Sequence, residues 1–106
     1  MAKKRPSKLV FILNIGKRRN SSTFLGSDAQ PGCHWSFCFI DKDTCRLVYC
    51  DSLGWPAPEC LEDTIAPFLD KILDITEVRE FFYAHDRSNN RVANYIYWDF
   101  SRVFQG

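Results

Sequence analysis

The sequence predicts an α+β domain with central antiparallel strands and a flanking helix. Three observations carry that expectation. One apolar run stands near the N-terminus, two more flank a short polar turn, and a further apolar set then recurs at spacings of three and four. The resulting order is strand, long loop, hairpin, helix and two final strands.

Residues 9–15 are apolar except for Asn14, which has the length and character of a strand buried on both faces. Residues 16–32 collect Gly, Ser, Asn, Asp and Pro around Lys17-Arg18-Arg19 and read as one long surface loop. Residues 35–41 and 45–51 form the hairpin about Asp41-Lys42-Asp43-Thr44, with Trp35, Phe37 and Phe39 on one face and Cys38 and Ile40 on the other. Apolar residues on both faces mark strands buried in the middle of a sheet.

In residues 52–58, Gly54, Pro56 and Pro58 exclude regular pairing. Leu61, Ile65, Phe68, Leu69, Ile72 and Leu73 then follow the spacing of an amphipathic helix. Pro67 leaves two options, a main helix that begins near it or a kink between two short helices. Residues 78–85 and 92–100 are aromatic-rich runs about the polar connector 86–91 and are expected to be strands, although the first also suits a helix.

At 106 residues the chain is one domain or part of one, and 45% hydrophobic with 15% aromatic content requires a packed core. A net charge of +1 gives no global pull toward nucleic acid or anionic membrane. The clusters Lys3-Lys4-Arg5 and Lys17-Arg18-Arg19 are most simply solvated flanks, and residues 1–7 are set apart as a basic N-terminal flank to a domain at 8–106. No stretch reaches the roughly 18 apolar residues of a membrane span, and no export segment follows Met1. An intracellular protein, nuclear or cytoplasmic, is the expectation. The five cysteines are odd in number and lack CxxC spacing, so they read as reduced thiols, with no metal and no cofactor expected.

The chemistry centres on His34 and Asp51. Counting outward from a turn in which Ile40 faces Cys45 sets His34 directly opposite Asp51, with both side chains on one face. A carboxylate beside an imidazole fixes its tautomer and stabilises its protonated form, which is the base-and-orienter half of a nucleophilic triad. The plain alternatives are a strand-start histidine and a strand-ending turn former. His85-Asp86 is a weaker pair, because adjacent strand residues point to opposite faces. Trp35 is most simply a core aromatic. Aromatic strands beside Lys17-Arg18-Arg19 also allow stacking on single-stranded nucleic acid, but no fingerprint supports it.

The segments LVFILNI at 9–15, GCHWSFCFID at 32–41 and LVYCDSLG at 47–54 together resemble the central block of the ubiquitin-like protease family. These are cysteine peptidases that remove SUMO or related modifiers. The resemblance implies a papain-like peptidase domain, covers residues 8–73 best, and makes a ubiquitin-like modifier of SUMO type, or its conjugate, the partner.

Carried over by position, His34 is the general base, Asp51 its orienting carboxylate, and Trp35 part of the aromatic tunnel over the substrate's terminal glycines. Gln105 matches the family's oxyanion-hole glutamine. The family's nucleophile follows in an Asp-Cys-Gly turn that this sequence does not contain. The expectation is therefore a peptidase-domain fragment, inactive alone for want of a thiol to activate. The competing expectation is a non-catalytic module that binds the modifier without turnover.

Overall fold

The computed structural model describes residues 6–84 and 98–99. Strand β1 (Lys8–Lys17) turns through residues 18–22 into β2 (Thr23–Leu25); β3 (His34–Asp41) and β4 (Arg46–Cys50) follow. Helix α1 (Leu61–Phe68) continues into a π-helical turn, Leu69–Leu73, and the short strands β5 (Glu77–Val78), β6 (Glu80–Tyr83) and β7 (Trp98–Asp99) complete the described chain. The main sheet has the order β2-β1-β3-β4-β6, antiparallel except for the parallel pair β4 and β6, while β5 and β7 pair separately. The parallel pair is joined through α1, as a crossover requires.

Alternation places Leu13 and Ile15 of β1, Cys38 and Ile40 of β3, Leu47 and Tyr49 of β4 and Phe81 of β6 on one face of the sheet, all buried. Against them α1 and its extension bury Leu61, Ile65, Ala66, Leu69 and Leu73. Each fully buried aliphatic side chain in this layer contributes about 1.5–3 kcal/mol. Pro67 does not open the helix but lies one residue before the end of α1, where the five-residue π-helical stretch Leu69–Leu73 takes over. The helical segment closes at Asp74 in the left-handed conformation (φ 58°), with the Ile75 N–H donating to the Leu69 carbonyl at 3.3 Å.

Four sequence expectations change. The run 9–15 is not buried on both faces, since Val10 and Ile12 are 61% and 75% exposed. The same uncovered face carries Trp35 and Phe37 on β3, also exposed, so the hairpin strands are central in the sheet yet packed on one side only among the described residues. The expected long loop contains β2, paired with the end of β1 through Ile15↔Leu25, Gly16↔Phe24 and Lys17↔Thr23.

The fourth change is the hairpin register. Ile40 faces Leu47, not Cys45, and Asp41 faces Arg46. The turn forms later than expected because the Asp41 carboxylate accepts the Asp43 N–H at 2.9 Å and Cys45 adopts a left-handed conformation (φ 53°) in the connector. Cys45 thus lies in the turn rather than at the start of the second hairpin strand. Of the C-terminal runs, 78–85 is represented by β5 and β6, not helix, and 92–100 by Trp98–Asp99; His85 and the connector 86–91 lie outside the described residues.

Candidate active site

A register displaced by two residues preserves which face each side chain occupies. His34 and Asp51 therefore still share a face, now as diagonal rather than directly opposed neighbours. An imidazole spans that diagonal. His34 Nε2 lies 2.7 Å from Asp51 Oδ1, and because a carboxylate only accepts, Nε2 carries the proton and donates it.

The carboxylate is held before the imidazole reaches it. Asp51 closes β4 into a turn in which the Leu53 N–H donates to Oδ1 at 2.7 Å and the Gly54 N–H to the Asp51 carbonyl at 3.1 Å. Gly54 has φ 73°, a conformation that favours glycine. The Asp51 side chain is wholly buried, whereas that of His34 is 16% exposed. The other carboxylate oxygen, Oδ2, is buried without a hydrogen-bond partner among the described residues. With Nε2 engaged, Nδ1 is the nitrogen of His34 to which no described residue hydrogen-bonds. An unprotonated Nδ1 opposite a carboxylate-held Nε2–H is the arrangement of a general base.

Two residues that the sequence reading passed over support the histidine. Asn14, the lone polar residue of its apolar run, takes the Gly32 N–H on Oδ1 at 2.9 Å and donates from Nδ2 to the His34 carbonyl at 3.3 Å. It thereby ties the start of β3 to β1. A polar residue interrupting a strand-length apolar run was the available signal. Trp55 packs on the imidazole with ring centroids 4.8 Å apart and planes inclined at 56°. The Lys17 ammonium lies 5.5 Å from the same indole. Nothing in the spacing of Trp55 marked it, because it reaches His34 through an irregular turn.

Trp35 is 65% exposed and occupies the sheet face opposite the imidazole, with Asn14 as its cross-strand partner. Gln105 lies outside the described residues. Beneath the pair, Ser36 Oγ and the Tyr49 hydroxyl are 2.8 Å apart in the buried layer. Burial pushes the Tyr49 phenol up to about 12, and the nearby Asp51 charge adds to that, against the opposing Ser36 bond.

All five cysteines are free. None hydrogen-bonds His34 among the described residues. Burial pushes the Cys38 thiol up to about 12 and raises those of Cys45 and Cys50 as well, so these three stay protonated thiols. Cys33 and Cys60 are exposed. Among the described residues no group of three His, Cys, Asp or Glu side chains is placed to hold a metal ion. No family model, no curated protein and no solved structure matches this chain.

Proposed function

We propose that the chain carries the base-and-orienter half of a cysteine-type peptidase of the ubiquitin-like protease kind, acting on SUMO- or ubiquitin-like modifiers inside the cell. The observation behind this reading is the 2.7 Å bond from His34 Nε2 to a wholly buried Asp51, which leaves Nδ1 open. In the proposed reaction Nδ1 takes the proton of a thiol, and the thiolate attacks the carbonyl carbon of the modifier's terminal glycine. The resulting imidazolium, held by Asp51, then returns that proton to the leaving amine. Trp35 and Gln105 enter as substrate-binding and oxyanion-stabilising residues on the strength of the sequence resemblance alone.

The thiol is the missing partner, since none of the five cysteines meets the imidazole. On this reading the nucleophile belongs to polypeptide outside these 106 residues, and the chain by itself does no proteolysis. The test is the reading frame downstream of Gly106, followed by assay on a modifier carrying a fluorogenic C-terminal amide. An in-frame Asp-Cys-Gly shortly after Gly106, as the resemblance implies, with turnover abolished by His34→Ala, is the expected result. A stop codon there, with no turnover, contradicts it.

A second reading, a modifier-binding module without turnover, is favoured by one feature. Val10, Ile12, Trp35 and Phe37 form an exposed apolar face on paired strands, of the kind that marks interaction surfaces. Saturable binding of a SUMO-type protein that is lost on Trp35→Ser, without hydrolysis, would select it.

A further inference from the structure

One hydrogen bond does not fix an imidazole. The second side-chain torsion of histidine is broad, so a ring tethered at Nε2 alone can pivot about that contact and swing Nδ1 through a wide arc. A base that must meet a proton along one line needs a second restraint, and geometry errors of about 1 Å cost roughly a hundredfold in rate. Asn14 restrains the His34 backbone by donating to its carbonyl at 3.3 Å. The ring contact comes from Trp55.

We infer that Trp55 is the positioning residue that sets the plane of the His34 imidazole, an assignment that rests on the base reading of His34 proposed above. Its indole centroid stands 4.8 Å from the imidazole centroid at an inclination of 56°, within the range where aromatic pairs attract beyond their buried area. The indole is itself held from several directions. Gly54 turns the chain at φ 73° immediately before it, and Pro56 fixes the backbone immediately after it. The Pro56 carbonyl accepts the hydroxyl of the buried Thr23 at 2.8 Å, and the Ala57 N–H donates to the Tyr83 hydroxyl at 3.0 Å. The Lys17 ammonium covers the ring at 5.5 Å.

The consequence is a division of labour. Asp51 selects which ring nitrogen carries the proton, and Trp55 selects where the other nitrogen points. Trp35, although adjacent to His34 in sequence, cannot share this task from the opposite sheet face.

The experiment is nitrogen-15 NMR of the His34 ring at neutral pH in the wild-type chain and in Trp55→Phe and Trp55→Ala, with folding checked by circular dichroism. The wild type is expected to show the Nε2–H form, with ring protons shifted upfield by the indole. Trp55→Phe keeps the tautomer and the order of the ring, whereas Trp55→Ala keeps the Nε2–H form that Asp51 sets but abolishes the upfield shift and lets the ring reorient, read as a fall in the order parameters of its carbon–hydrogen bonds. Unchanged His34 signals in a folded Trp55→Ala chain would overturn the inference while leaving the base reading intact. A wild-type ring already mixed between tautomers removes the base reading itself.

Should Trp55→Ala unfold, fluorescence decides the matter. Protonated imidazole quenches a contacting indole, so acidification should dim the wild-type emission. Most of that change should vanish in Trp55→Phe, which leaves Trp35 and Trp98 in place. Retention of the full pH-dependent change in Trp55→Phe contradicts the inference.

Discussion

Asp51 Oδ1 accepts two N–H groups at 2.7 Å each, one from the His34 ring and one from the Leu53 backbone, while its buried Oδ2 has no hydrogen-bond partner among the described residues. The carboxylate is thus pre-aimed by its own turn, and the imidazole docks on an acceptor already in position.

Substitutions at Asp51 separate the acceptor from the charge. Asp51→Asn keeps an oxygen for both N–H donors and removes the buried charge, so it should fall within about 1 kcal/mol of the wild type and retain the Nε2–H tautomer. Asp51→Ala strands both donors and should cost about 1–3 kcal/mol. Urea denaturation of the two variants supplies the comparison, and equal stabilities would show that the two bonds contribute nothing.

Two glycines of β1 and the loop before β3 should respond very differently to alanine. A Cβ on Gly32 would stand 2.6 Å from the Ile15 carbonyl oxygen and 2.7 Å from Asn14 Oδ1, displacing the bond that ties β3 to β1. A Cβ on Gly16 would meet only the outer atoms of the Phe24 ring, which can swing aside. Gly32→Ala should cost about 1–3 kcal/mol and Gly16→Ala less. Thermal melts that rank them in the reverse order would count against the Asn14 clamp.

Stability should fall at alkaline pH. Burial raises Cys38 from 9.0 and Tyr49 from 10.0, each to about 12. Between those limits the unfolded chain has released protons that the folded chain retains, so unfolding is favoured as pH rises, by up to about 1.4 kcal/mol per pH unit for each group. Well below 9.0 both groups are protonated in either state and contribute no slope. Melting temperature followed from neutral pH upward should be flat with respect to these groups and then decline. In Cys38→Ala the decline should be shallower, with the raised Cys45 and Cys50 thiols still contributing to it, and an unaltered slope would remove Cys38 as a cause.

The uncovered sheet face should tolerate polar residues. Ile12 and Trp35 are 75% and 65% exposed, so Ile12→Thr and Trp35→Ser should change stability by no more than about 0.5 kcal/mol, whereas Ile15→Thr on the covered face should cost several times that. The same two surface substitutions should reduce self-association in sedimentation. A large loss of stability from Ile12→Thr would mean that this face is covered in solution.

Much of the architecture was legible because periodicity reports which residues share a face. The strands of residues 9–15 and 35–51 and the apolar stripe of α1 were readable on that ground. What periodicity does not report is which of two apolar faces finds a partner, and so Val10 and Ile12 read as buried. The register was misplaced because an Asx turn at Asp41 and a left-handed Cys45 moved the connector, a local choice that composition does not encode. The pairing of His34 with Asp51 survived because a displacement of two keeps facing intact. Trp55 was illegible for a different reason, since a residue carried in by a Gly-Trp-Pro turn obeys no period.

The most direct test of the account is the protonation pattern of the His34 ring in the wild-type chain, read from nitrogen-15 shifts near neutral pH. The account predicts a proton fixed on Nε2 and a bare Nδ1, a pattern lost in Asp51→Ala. A ring that carries its proton on Nδ1, or that divides it between the nitrogens as free imidazole does, would contradict the claim that Asp51 prepares His34 to act as a base.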